Sequence, residues 1–163
     1  MISCEIAIST ATFRPHTMNL DHSKKHLLRR ACERVAYVMK GMLEDKGSTD
    51  TRLFGPPLIP DDLVAIGRSQ DDACYREHVI PRLVICNHAE EMLKQGSSTI
   101  DLASFIADHL KIVHLTRSQS DLLNKKIHFN LRQRMPDGWN FGEDHFARLH
   151  EASIPYTQFG ETQ

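Results

Sequence analysis

Residues 75–115 read YREHVIPRLVICNHAEEMLKQGSSTIDLASFIADHLKIVHL. Tyr75 to Ile80 reads as a strand, and Pro81 stops it. Proline suits the first turn of a helix, where its missing N–H costs nothing. Leu83, Val84, Ala89, Met92 and Leu93 then form the apolar set of a helix from Pro81 to about Gln95, with Gly96 as its stop. Ser98 caps a second helix to about Leu110, with Asp101 at the capping-box position. Lys111 to Leu115 is a second short strand. This order of strand, helix, helix, strand decides the fold class.

Toward the C-terminus, Thr116-Arg-Ser-Gln119 is a capping box and predicts a helix through about Asn124. Met135-Pro136-Asp137-Gly138 is turn chemistry. Trp139 and Phe141 are expected to pack that turn onto the body, before a last helix from about Glu143 to Ala152.

Toward the N-terminus, Leu63 to Ile66 is apolar, short and ambiguous. Residues 47–62 carry Gly55, Pro56, Pro57 and Pro60 and read as a loop, either a mobile lid or a crossing connection. Before it, Leu27, Leu28, Ala31, Cys32, Val35, Ala36, Met39, Met42 and Leu43 mark one face of a long helix from about Asp21 to Asp45, with Gly47 as its stop. Cys4, Ile6 and Ile8 alternate with polar or small residues and read as a further strand. Helices outnumber strands. The expectation is one α+β domain over residues 1–163, mainly helical with a small sheet.

Composition excludes several classes. The chain has 163 residues, 40% hydrophobic and 25% charged, as in a globular protein. No apolar run is long enough to span a bilayer, so no membrane association is expected. The first residues lack the pattern of a signal peptide. Cys4, Cys32, Cys74 and Cys86 form no Cys-x-x-Cys pair and read as reduced thiols, which implies a cytoplasmic location. The net charge of −1 gives no global attraction to nucleic acid. Charge is nevertheless uneven. Lys111, Arg117, Lys125, Lys126, Arg132 and Arg134 face a single acid, Asp121, before the sign reverses over 137–151.

Four of the ten histidines directly follow a carboxylate, at 21–22, 77–78, 108–109 and 144–145. Only Glu77-His78 ends a predicted strand. There the carboxylate can help hold a divalent cation while a neutral imidazole takes a proton from water. Equally, His78 can be a partly buried residue at a strand end, with Glu77 in solvent. His22 and His26 lie four apart and read as an exposed pair rather than a metal site. Arg76 either grips a phosphate or pairs with Asp71 or Asp72.

Glu77-His78-Val79-Ile80-Pro81 resembles the opening of the HNH-type, or ββα-metal, nucleases. In that family a second strand and a helix follow, and the helix supplies a further ligand. The resemblance covers residues 75–81 and 111–124. It implies a ββα-metal-like core and hydrolysis of phosphodiesters in nucleic acid. It implies His78 as general base with Arg76 beside it, and a metal (Mg²⁺, Mn²⁺ or Zn²⁺) on Glu77 with Asn124 or Asp121. Arg117, Lys125, Lys126 and Arg132 would position the nucleic-acid backbone. The chain departs from the pattern in two ways. About thirty residues separate the two strands, and no second histidine stands at helical ligand spacing. Those departures motivate a second expectation, a non-catalytic inhibitor- or immunity-type module that binds a protein partner and in which Glu77-His78 is structural.

Overall fold

Helix α1 spans Lys24–Lys46, and its ends follow from its caps. The Ser23 hydroxyl accepts the His26 N–H at 3.3 Å, and Gly47 closes the helix at φ +74°, returning its N–H to the Leu43 carbonyl at 2.9 Å. The buried side chains are Ala31, Cys32, Val35, Ala36 and Met39, the middle of the predicted stripe, while Leu27, Leu28, Met42 and Leu43 at its ends are half-buried. Burial pushes the Cys32 thiol up to about 12, so it behaves as a small hydrophobe. The structure, a computed structural model, describes residues 23–159. The expected strand around Cys4, Ile6 and Ile8 and the residue His22 lie outside them.

The 75–115 segment folds as its pattern predicts. Strand β2 is Tyr75–His78, helix α3 Arg82–Lys94, helix α4 Thr99–His109 and strand β3 Ile112–Leu115. Helix α5 follows at Arg117–Asn124 with both halves of its capping box formed. Strand β1, Ala65–Arg68, and the two-residue strand β4, Thr157–Gln158, complete a four-stranded sheet in the order β2-β3-β1-β4. β2 pairs antiparallel with β3, β1 parallel with β3, and β4 antiparallel with β1. The protein is therefore α+β, mainly helical with a small mixed sheet.

The sheet separates two apolar clusters. α1, α3 and α4 pack with Ile80 and Ile112 on one side. Val113, Leu115, Leu123, Leu131, Leu149 and Ile154 pack on the other. Ile112 and Val113 divide between the clusters because successive strand residues point to opposite faces.

Two open readings resolve and one expected helix is shortened. The ambiguous run at 63–66 divides between one helical turn, α2 at Asp61–Val64, and β1. Residues 47–62 form a crossing connection rather than a lid. A 3₁₀ turn at Thr51–Phe54 buries Phe54, Ile59 is fully buried, and Glu90 accepts both the N–H and the hydroxyl of Thr49 at 2.7 Å. The last helix, α6, is only Ala147–Glu151. The residues before it form turns in which Trp139 Nε1 donates to the Asp144 carbonyl at 2.8 Å, and Phe141 packs among His88, Phe105 and His109.

Candidate functional site

Strand β2, strand β3 and helix α5 form a ββα unit whose two strands are neighbours despite the two helices inserted between them. The register sets Glu77 opposite Val113 and His78 opposite Ile112. Glu77 thus shares the face on which α5 packs, and His78 takes the other, beside the start of α3. Both line a cleft of about 350 Å³, together with Arg76, Arg82, Asn124 and Arg132.

Glu77 meets α5 directly. Asn124 Nδ2 donates to Glu77 Oε2 at 2.9 Å, and Ser120 Oγ donates to the same oxygen at 3.4 Å. Ser120 and Asn124 lie one helical turn apart, so both reach the strand from one face of α5. The pair Glu77 and Asn124, singled out from sequence, is brought together across 47 residues.

A residue that the sequence reading missed completes the centre. Arg148, on α6, is only 1% exposed. Its Nη2 donates to Glu77 Oε1 at 3.1 Å and to Asn124 Oδ1 at 3.2 Å, and its Nη1 donates to the His78 carbonyl at 2.6 Å. Burial presses its pKa down while the Glu77 carboxylate pushes it up. Two buried polar atoms at the site have no hydrogen-bond partner, Arg148 Nε and His78 Nε2. The signal for Arg148 was faint. It is one cation within the acidic stretch 137–151, flanked by Ala147 and Leu149.

His78 is held neutral. Burial, and after it the positive charges of Arg82, Arg76 and Arg148, lower its pKa from 6.5 to about 3.

The other candidates divide. Arg76 lines the cleft but pairs with Asp61, not with Asp71 or Asp72. Asp121 is bound to Lys125 at 2.8 Å on the exposed side of α5 and does not join Glu77 and Asn124. Arg117 donates to the Tyr75 hydroxyl at 3.1 Å and covers its ring. Arg132 belongs both to the cleft and to a wider, adjoining groove of about 890 Å³, which Lys125, Lys126 and Arg134 also line. Arg82, which the sequence reading did not select, lines the cleft as well. The side chains of Arg82, Lys126 and Arg132 have no hydrogen bond or ion pair to any described residue, so their charges are available to a ligand.

The donor chemistry decides which cation the centre fits. Among the described residues no three His, Cys, Asp or Glu side chains are grouped to share a metal. Zinc, which favours nitrogen and sulfur donors in a closed tetrahedron, is a poor match. One carboxylate with a hydroxyl and an amide oxygen, the latter turned to Arg148 while the amide Nδ2 faces Glu77, suits only a hard ion such as Mg²⁺ or Mn²⁺. Such an ion keeps several waters and takes further oxygens from a bound phosphate.

No helix among the described residues is long and apolar enough to cross a membrane. No protein-family model matches the chain, and no curated protein or solved structure is significantly similar to it.

Proposed function

We propose that the protein is a metal-dependent phosphodiester hydrolase of the HNH, or ββα-metal, type acting on nucleic acid. The observation that carries this reading is the meeting of Glu77 on β2 with Asn124 on α5 at 2.9 Å, within a strand–strand–helix unit and beside His78. Glu77 and Asn124 would hold Mg²⁺ or Mn²⁺, with Ser120 in reach. The cation supplies, when bound, stabilisation of the charge that grows on the phosphate and its leaving oxygen. Arg82 and Arg132 would position the phosphate, and Lys126 the backbone beyond it. His78 enters as a neutral imidazole and takes a proton from the attacking water, which the site would have to admit to its buried, unpartnered Nε2. The reading assigns the protein to the cytoplasm, where the free thiols Cys32, Cys74 and Cys86 would persist.

Cleavage of supercoiled DNA and structured RNA in Mg²⁺ or Mn²⁺ tests the proposal. Activity should vanish in EDTA and fall at least about a hundredfold in Asn124→Ala, as expected when charge stabilisation at the reacting phosphate is lost. Undiminished activity in Asn124→Ala would remove α5 from the chemistry.

A second reading is favoured by one observation, the saturation of Glu77 by Arg148, Asn124 and Ser120. Under it the centre is a structural polar network, and the protein is a non-catalytic inhibitor- or immunity-type binding module. A stable protein complex that survives His78→Ala, with no cleavage under any metal, would select it.

A further inference from the structure

We propose that Arg148 is a resident counter-cation of the Glu77 centre: its guanidinium occupies the carboxylate in the absence of a divalent cation and competes with one for it. The inference rests on the reading of this centre as a Mg²⁺ or Mn²⁺ site.

Three observations lead to it. The first is the pattern of contacts. Arg148 bonds the carboxylate, the amide oxygen of Asn124 and the backbone carbonyl of His78, which are all oxygens. A cation at this centre would draw on two of the same groups, Glu77 and Asn124. The guanidinium therefore fills the electrostatic role of a hard cation with the chain's own charge.

The second is burial. Arg148 is 1% exposed, whereas the Glu77 side chain retains 13% of its exposure and belongs to the cleft wall. The carboxylate can be approached from the cleft while the guanidinium stays behind it. A divalent ion arriving from that side meets the Glu77 carboxylate and feels the positive charge of Arg148 through a poorly screened interior.

The third is the unpartnered Nε. A buried guanidinium bound at Nη1 and Nη2 but not at Nε is only partly satisfied. Such an unmade bond carries a desolvation cost, so Arg148 is held less firmly than a fully paired buried arginine. Like charges so close to one carboxylate oppose each other, and the centre has two occupants for one negative charge. Arg148 is thus a positioning residue. It fixes the Glu77 carboxylate and the end of β2, and it sets how much cation is needed to load the site.

Mn²⁺ binding by calorimetry, on the full chain, tests this without reference to turnover. The proteins are the native sequence, Arg148→Met, Arg148→Lys, and Arg148→Met combined with Glu77→Gln. Arg148→Met should bind Mn²⁺ at least about tenfold more tightly than the native chain, because a like charge has been removed. Arg148→Lys, which keeps the charge with a point-like donor, should stay near the native affinity. Adding Glu77→Gln should abolish the gain. Unchanged or weaker Mn²⁺ binding in folded Arg148→Met overturns the inference. Should Arg148→Met not fold, Arg148→Lys decides: its Mn²⁺ affinity must stay near the native one, and a gain of about tenfold with the charge retained overturns the inference. The two proposals can fail separately. Native protein that cleaves and binds Mn²⁺, with Arg148→Met unchanged, sinks the counter-cation alone. Native protein that binds no Mn²⁺, with Arg148→Met binding it through Glu77, supports the counter-cation and overturns the hydrolase. No binding by either overturns both.

Discussion

Removing one half of the Glu77–Arg148 ion pair should not cost the same as removing the other. Glu77→Leu leaves Arg148 buried with its charge uncompensated, and such losses cost about 3–5 kcal/mol. Arg148→Met leaves a carboxylate that is still bonded to Asn124 and Ser120 at the edge of a cleft, and should cost about 1–3 kcal/mol. Urea denaturation at pH 7 measures both, and equal losses would contradict the asymmetry of burial. His78 gives a pH dependence with a definite sign. Its pKa is about 3 in the folded protein against 6.5 as the ordinary value. Above 6.5 both states are neutral and nothing is lost. Between 6.5 and about 3 the unfolded chain takes up the proton and the folded one does not, so stability falls with acidification by up to ~1.4 kcal/mol per pH unit. His78→Gln should flatten the stability profile in that window, and a slope equal to the native one would show that His78 is not its source.

Helix α5 ties the chemistry to an element that the sequence announced. Thr116 and Gln119 form the capping box predicted from four letters, and the helix then delivers Ser120 and Asn124 to Glu77. Thr116→Ala should cost ~1 kcal/mol in denaturation experiments. The helices were legible because each has a periodic apolar face and a local stop, as in α1 with Gly47 and α3 with Gly96. The strands were legible only where a proline or a cap marked the end. β1 has four residues that alternate in burial, but the buried pair are the small Ala65 and Gly67, so the sequence carries no apolar alternation to read. β4 has two residues and exists because β1 offers it an edge. The contact between them is close. A Cβ at Gly67 would lie 2.4 Å from the Thr157 carbonyl oxygen. Gly67→Ala should therefore push β4 away and destabilise the protein by about 1–3 kcal/mol. The same change with an unaltered melting temperature would mean that the β1–β4 pairing contributes little.

Across the whole molecule, a net charge of −1 conceals a cationic side. Arg76, Arg82 and Arg132 converge on the cleft from β2, α3 and the segment after α5, and the wider groove continues with Lys126 and Arg134. The basic stretch after residue 111 was visible in the sequence, but Arg82 and Arg148 were not. Arg82 stands in a helix of mixed composition, and Arg148 reaches a carboxylate 71 residues away. A partner that distant leaves no local pattern, and only the folded chain brings it to the site. Half of the candidate site was thus readable, as a motif on β2 and a cap on α5, while its counter-charge was not. The fit to nucleic acid is electrostatic, since the cleft and groove are lined by no Phe, Tyr or Trp on which bases could stack. Affinity should then fall with the logarithm of salt with a slope of roughly −2 to −3, if Arg82, Lys126 and Arg132 each displace a counterion. Arg132→Glu should weaken binding on any sequence alike. The most direct test of the central claim is the rate of phosphodiester cleavage by the native chain and by His78→Ala, side by side in Mg²⁺, in Mn²⁺ and in EDTA. Cleavage by the native chain is expected in either metal, none in EDTA, and at least a ~100-fold loss in His78→Ala. Cleavage that persists in His78→Ala, or none by the native chain in any metal, would contradict that claim.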